Sequence, residues 1–391
     1  MRVFARKCAW YGLAIAGIAV VGGFAGIIAD RVLLPKIAAD SFLSRWGIFR
    51  KAAENTVIIN KTEQVMIRED DSVETIALSA SPSVVNILSV RRGGDTEIAK
   101  VGEETSKNIG TLQGSGVLVT NDGLIATFHT ALLENASYTV FLYNGTSYPA
   151  TLVATDSLTG ISYLSIAASN LPSISFAESD SIRAGKKLIL IANTSEEYRN
   201  RYSTGLLGNT DKTFNIAGGA VASSERWEGV YTVDAATLAP YLGGPAIDYQ
   251  GDLVGIVGNA PNNGDFETFL LPASAVKLSL ERQVRGTLSK RPDLGVSYVS
   301  ITKAYAIANS LSRDRGALIT TPSGRQGLAI LSGSPAEKAG LRVGDIVIAV
   351  NGQEINLDNP LSVAIGNLSQ GDVATLRILR GENEQDVTVD L

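Results

Sequence analysis

The chain has 391 residues, which at roughly 100–200 residues per domain leaves room for two or three domains. Hydrophobic residues make up 45% of it, too many for a disordered chain. Charge is close to balance, with 34 Lys+Arg against 39 Asp+Glu, so the chain lacks the basic footprint of a nucleic-acid binder.

Cys8 to Ala29 carries no charged side chain, and Arg2, Arg6 and Lys7 precede it. About 20 apolar residues span a bilayer as a helix, and the flanking cations place the N-terminus in the cytoplasm. The run exceeds the apolar region of a cleaved signal peptide, so residues 1–30 are expected to be a retained anchor with the bulk of the chain outside. Gly22 and Gly26 form a GxxxG pair, a spacing that packs helices together and is also common in any span. In the juxtamembrane segment, 31–75, Phe42, Trp46 and Phe49 recur at helical spacing among Lys36, Arg45, Arg50 and Lys51. This predicts a short amphipathic helix, on the membrane surface or on the body of the protein. Asn60 to Asp71 reads as a polar linker.

From about Ser81, short runs rich in Val, Ile, Leu and Thr alternate with Gly, Asn, Asp and Ser clusters. Strands are expected at Val84–Val90, Gly116–Thr120, Leu124–Thr127, Tyr138–Leu142, Ala150–Ala154, Ser162–Ala167, Lys187–Ala192, Gly229–Val233 and Leu253–Val257. Many short strands with few helical periods make a mostly β sandwich or barrel. Within this stretch stand Gly114-Ser115-Gly116, Asp122-Gly123-Leu124-Ile125-Ala126-Thr127, Asp234-Ala235-Ala236, Gly243-Gly244-Pro245-Ala246-Ile247 and Gly251-Asp252-Leu253-Val254-Gly255-Ile256. In order and spacing these resemble the trypsin-like domain of HtrA-type (high-temperature-requirement, DegP/DegS-like) serine proteases over about residues 76–285. The resemblance implies two perpendicular β-barrels over 76–287, with a site in the cleft between them, and family members that form trimers through these domains.

Serine-protease chemistry needs an attacking hydroxyl, a histidine base, an orienting carboxylate and backbone N–H groups for the oxyanion. By the resemblance, the family histidine falls on Thr130, with His129, the chain's single histidine, one place earlier. A strand would turn His129 to the opposite face, whereas a turn would leave it a candidate base. The family aspartate falls on Gly160; Asp156, four residues earlier, reads as a turn former. The nucleophile falls on Leu242, and the glycine supplying half the oxyanion hole on Pro240, which has no N–H. The resemblance therefore implies a degenerate site with no catalytic residue in place. A rearranged site would need His129 with an unconventional nucleophile such as Ser115 or Ser162. No cofactor is implied. One histidine, and one cysteine confined to the anchor, leave no metal-ligand set.

Near Lys290-Arg291-Pro292 the texture changes again. Gly333-Ser334-Pro335-Ala336 through Asp345-Ile346-Val347 to Asn351-Gly352 resembles a bacterial-type PDZ domain over 288–391, a small α+β unit. Ser334-Pro335 starts a short helix, Gly340 ends it, Asp345–Val350 is a strand, and Leu361, Ala364, Ile365 and Leu368 lie on one helix face. PDZ domains add a peptide as an extra strand and hold its terminal carboxylate on loop N–H groups. The resemblance places that loop at Asp293, Leu294, Gly295 and Val296, with Leu361 and Ile365 completing the pocket. Asp293 opposes an anionic ligand, and Arg291 is expected to offset it. Three readings follow. One is a membrane-anchored inactive homologue holding protein C-termini or unfolded polypeptides, and one an active endopeptidase with a rearranged site. The third is a subunit, homotrimeric or co-assembled with an active relative, that tunes it.

Overall fold

The computed structural model describes residues 69–391 apart from 92–94, 101–108, 194–199, 217–220, 236, 263–264 and 322–328, together with residues 21, 22 and 25. Apart from residues 21, 22 and 25, the expected span at Cys8–Ala29 lies outside the described residues, as do the juxtamembrane helix and most of the linker. Among the described residues no helix is long and apolar enough to cross a membrane.

Helix α1 (Glu69–Ala80) begins inside the stretch read as a linker. Its Val73, Ile76, Ala77 and Ala80 recur at i, i+3, i+4 and i+7 and pack on the main core. The polar first turn hid that stripe.

The first barrel comprises β1 (Val84–Val90), β2 (Asp95–Lys100), β3 (Ile109–Leu118), β4 (Leu124–Phe128), β5 (Ser137–Phe141), β6 (Ser147–Thr155) and β7 (Ile161–Ile166). Its strand order is β1-β5-β6-β7-β4-β3-β2, and the additional β1–β3 pairing closes the ring. The second uses β8 (Lys187–Ala192), β9 (Arg201–Asn215), β11 (Glu228–Asp234), β12 (Pro245–Ile247), β13 (Leu253–Asn262) and β14 (Asp265–Pro272), closed in the order β11-β14-β13-β12-β8-β9. Between β9 and β11, the two-residue β10 (Ala222–Ser223) pairs elsewhere. Each strand expected from the alternating pattern is present, with ends shifted by a few residues.

Period-two alternation builds the cores. Leu188, Leu190 and Ala192 of β8 face the interior of the second barrel with Leu207, Val254 and Leu270. Ile189 and Ile191 face a core shared by the two barrels, with Phe128, Tyr163, Ile256 and Phe269. The first barrel has its own interior around Ile87, Ile125, Val140 and Leu164.

Helix α2 (Ala273–Val284) leads out of the second barrel. The third unit comprises β15 (Ser297–Ser300), α3 (Lys303–Ala308), β16 (Ala317–Ile319), α4 (Pro335–Lys338), β17 (Ile346–Val350), β18 (Gln353–Glu354), α5 (Leu361–Gly366), β19 (Val373–Arg380) and β20 (Asn383–Asp390). Ser334 caps α4 by accepting from the Glu337 N–H at 3.2 Å, and Pro335 follows at the first position. Asn351 and Gly352, both at positive φ, make the tight turn from β17 to β18.

The third unit is joined to the barrels by polar contacts. The Arg291 guanidinium donates to Asp156 at 2.7 Å, with both side chains nearly sealed from solvent. Arg282 on α2 donates to the carbonyls of Gly366 and of Leu368 (2.8 Å) beyond α5. The Tyr298 hydroxyl donates to Glu228 at 2.7 Å, and Lys212 pairs with Asp358 at the surface.

Candidate functional site

Four positions, Thr130 with its neighbour His129, Gly160, Leu242 and Pro240, define the expected cleft site. His129 does not continue β4. It opens a 3-10 turn, His129–Ala131, after Phe128, so the strand rule that would turn it away does not apply. Its N–H donates to the Gly160 carbonyl at 2.9 Å, and its ring lies on Phe128 with centroids 4.8 Å apart. Burial of part of the ring, then the Arg226 charge, hold its pKa below the usual imidazole value against Glu134. The ring is therefore neutral at pH 7. Thr130 turns to β13 and donates to Asn259 Oδ1 at 2.6 Å.

Gly160 does stand beside His129, where the resemblance puts a carboxylate. Its φ is +75°, and a Cβ there would meet Phe128 Cε2 at 2.7 Å and His129 Cδ2 at 3.2 Å. The Phe128 ring fills the space that a side chain would need. Asp156, the nearest carboxylate in sequence, is buried and accepts from the Leu158 N–H (3.0 Å), the Thr159 hydroxyl (2.8 Å) and Arg291. It is a turn former and an ion-pair partner.

Leu242 is 3% exposed and belongs to the shared core. Ala239, Pro240 and Tyr241 wind into a 3-10 turn ahead of it. Proline's fixed φ suits that turn. The turn consumes the backbone donors: Tyr241 N–H to Leu238 O (2.8 Å), Leu242 N–H to Ala239 O (3.3 Å), Gly243 N–H to Val257 O (2.8 Å) and Gly244 N–H to Tyr241 O (2.8 Å). With Pro240 lacking an N–H, residues 240–244 have no donor left for an anion. Gly243 and Gly244 keep the close approach of their motif. A Cβ at Gly243 would lie 2.4 Å from Ser115 O, and one at Gly244 2.3 Å from Ile191 O.

The two alternative hydroxyls are committed. Ser115 is fully buried and accepts from the Asn193 N–H at 2.9 Å. Ser162 is 1% exposed and hydrogen-bonded to the Thr155 hydroxyl at 2.8 Å.

The second site lies on the third unit. Leu294, Val296, Leu361 and Ile365 come together in one buried cluster. Gly295 has φ +74°, and a Cβ on it would strike Ser334 Cβ at 2.4 Å; glycine is required there. Asp293 is exposed. Burial and the neighbouring Glu225 push its carboxyl up to about 6. Arg291 does not offset it as expected, because the guanidinium is turned to Asp156. Sequence reasoning missed Glu225. Its carboxylate accepts the Gly295 N–H at 3.0 Å, and nothing in local sequence marks it for that role.

Comparison with known proteins agrees with the fold. A trypsin-like peptidase domain model matches residues 114–256, and a PDZ domain model residues 292–391. A "Probable periplasmic serine endoprotease DegP-like" of Bartonella henselae is 30% identical over 282 residues, covering 71% of this chain and 52% of the relative. A "Serine protease Do-like HtrA" of Bacillus subtilis is 27% identical over 335 residues, covering 83% and 73%. The chain spans about half the length of the DegP-like relatives it matches. Among solved structures, the HtrA-type protease AlgW with tripeptide aligns at TM-score 0.60 and 21% identity, over 81% of this chain and 96% of that one. A serine endoprotease from Yersinia pestis aligns at 0.55 and 20%, over 81% and 96%. The chain thus has the trypsin-like double barrel and following PDZ domain of the HtrA-type proteases it resembles.

Proposed function

We propose that this protein is an inactive HtrA-type protease homologue that binds peptides or partner proteins through its PDZ domain. In this reading Cys8–Ala29 holds it in the bacterial cell membrane with its bulk outside, where it serves envelope protein quality control or acts as a scaffold. The periplasmic naming of its relatives supports an extracytoplasmic place for the bulk.

The observation that carries the reading is the turn at 239–244. A buried leucine occupies the nucleophile position, and the N–H groups of Tyr241, Leu242, Gly243 and Gly244 are all hydrogen-bonded within the protein. Loss of one oxyanion donor costs about 10²–10³ in rate, and loss of the nucleophile roughly 10⁶ in a related triad. Gly160 removes the carboxylate that would orient a histidine. The PDZ reading is supported by contrast: Leu294, Val296, Leu361 and Ile365 pack together, and solved structures of the same fold hold a tripeptide or decapeptide.

The test is hydrolysis of unfolded casein by residues 31–391 beside an active HtrA-type protease, together with capture of C-terminal peptides from an immobilised library. No cleavage with peptide capture is expected. Cleavage abolished in His129→Ala, or failure to retain any peptide, would contradict the proposal.

A further inference from the structure

A PDZ groove binds by strand addition along its first strand. In this protein that edge carries a strand of the chain itself. β10 pairs antiparallel with β15, Ala222 opposite Tyr298 and Ser223 opposite Ser297. The Ser224 N–H then donates to Val296 O at 3.0 Å, and the Val296 N–H donates to Ser224 Oγ at 3.1 Å. The sheet order β10-β15-β16 leaves β15 no other free edge. Side chains alternate as an added strand requires. Ala222 and Ser224 are 4% and 3% exposed, while Ser223 is only half-buried. Ala222 sits in the cluster formed by Leu294, Val296, Leu361 and Ile365.

The register ends where a ligand would end. The Gly295 N–H belongs to the loop expected to hold a terminal carboxylate, and its partner is Glu225 Oε1 at 3.0 Å. The Ser223 hydroxyl donates to Glu225 Oε2 at 2.7 Å, and the Ser224 hydroxyl reaches Oε1, so the carboxylate is braced in place. A free chain ending at position 224 would carry its own carboxylate into this same neighbourhood.

Resting on the peptide-binding reading above, we propose that Ala222-Ser223-Ser224-Glu225 is a built-in occupant of the PDZ groove, with the Glu225 side chain in the place of a ligand's terminal carboxylate. The occupant defines the ligand. It is a free protein C-terminus with small side chains at its last and third-last positions, those of Ser224 and Ala222. Its binding displaces the segment. A short tether gives the resident strand an effective concentration of order millimolar, so a free ligand binds the intact chain more weakly than the bare groove.

The experiment uses the full chain in detergent micelles as wild type, Glu225→Ala and Glu225→Gln. Without ligand, Glu225→Ala accelerates amide exchange at Ser224 and Gly295 at least tenfold, and Glu225→Gln, which keeps an acceptor oxygen, accelerates it less. Exchange unchanged in Glu225→Ala overturns the occupant. The labelled peptide Ala-Val-Ala-Ser-Ser with a free carboxylate then binds Glu225→Ala at least tenfold more tightly than wild type, and its C-terminal amide binds neither. Equal affinity for the two proteins, or equal binding of a peptide with Phe at the last and third-last positions, overturns the ligand assignment. Faster exchange in Glu225→Ala with no binding of this peptide or of a random C-terminal library overturns the PDZ peptide-binding reading itself.

Discussion

The trypsin-like cleft and the PDZ groove are both built on intact scaffolds, yet on the proposed readings they are blocked in different ways. In the cleft, the chain has replaced reacting groups with packing. Leu242 joins the core, Phe128 covers the face of Gly160, and Pro240 sets a turn that uses up the donors. On the third unit, the residues expected to line the groove pack together, and the short strand β10 pairs with β15 while Glu225 accepts the Gly295 N–H. Substitution is fixed in the sequence, whereas occupation by a tethered segment is an equilibrium that a competing ligand can shift. The difference teaches that loss of function in one site of a two-domain scaffold need not carry over to the other.

The comparison can be broken most sharply at the cleft. Leu242→Ser should restore no measurable hydrolysis, since Gly160 and Pro240 remain. It should also lower stability by about 2–4 kcal/mol, from lost apolar burial and a hydroxyl placed in the core, read from urea unfolding. Adding Gly160→Asp would make matters worse, because φ +75° and the Phe128 contact strain any side chain there. Casein cleavage by the single variant would show that the cleft was only one residue from activity.

The joint between the regions comes next. Asp156→Asn strands the buried Arg291 charge and should cost roughly 3–5 kcal/mol, visible in thermal unfolding. At the groove, Gly295→Ala should cost about 1–3 kcal/mol and abolish capture of C-terminal peptides. Retained capture would mean that peptides dock elsewhere.

A smaller effect concerns pH. Glu228 is buried against Tyr298, and burial pushes its carboxyl up to about 7; Asp293 is pushed up to about 6. A carboxyl whose folded pKa is raised binds protons more tightly in the docked state. Its destabilising effect is absent below the ordinary carboxylate pKa, grows as pH rises, and is complete above the folded pKa. The contact between barrels and PDZ domain should therefore loosen between about pH 5 and pH 8, with faster amide exchange in β15 at the higher pH after correction for the intrinsic rate. Glu228→Gln should flatten the trend. The smallest effect is that of His129→Ala, an exposed ring, which should stay within about 0.5 kcal/mol of wild type.

Much of this was legible in the sequence, for physical reasons. Strands such as Lys187–Ala192 and Leu253–Val257 announce themselves because one or both faces are apolar. The glycines at 160, 243 and 295 mark places where backbone or side chains crowd the Cα. What stayed hidden depends on partners far away in the chain. β9 is largely exposed and polar, so no alternation betrays it, and α1 shows its stripe only once the core it covers is known. Arg291 stands two residues from Asp293 in sequence, while the fold delivers it to Asp156. Residues 222–225 show no strand signal in the sequence because their strand character comes entirely from pairing with β15.

The most direct test of the central claim is labelling of residues 31–391 with a fluorophosphonate probe, read by intact mass beside an active HtrA-type protease. An unmodified mass, with the active protease fully labelled, is the result expected of a cleft without nucleophile, carboxylate or oxyanion donor. A single adduct on a serine, lost in His129→Ala, would contradict the account and make this protein an enzyme with a rearranged site.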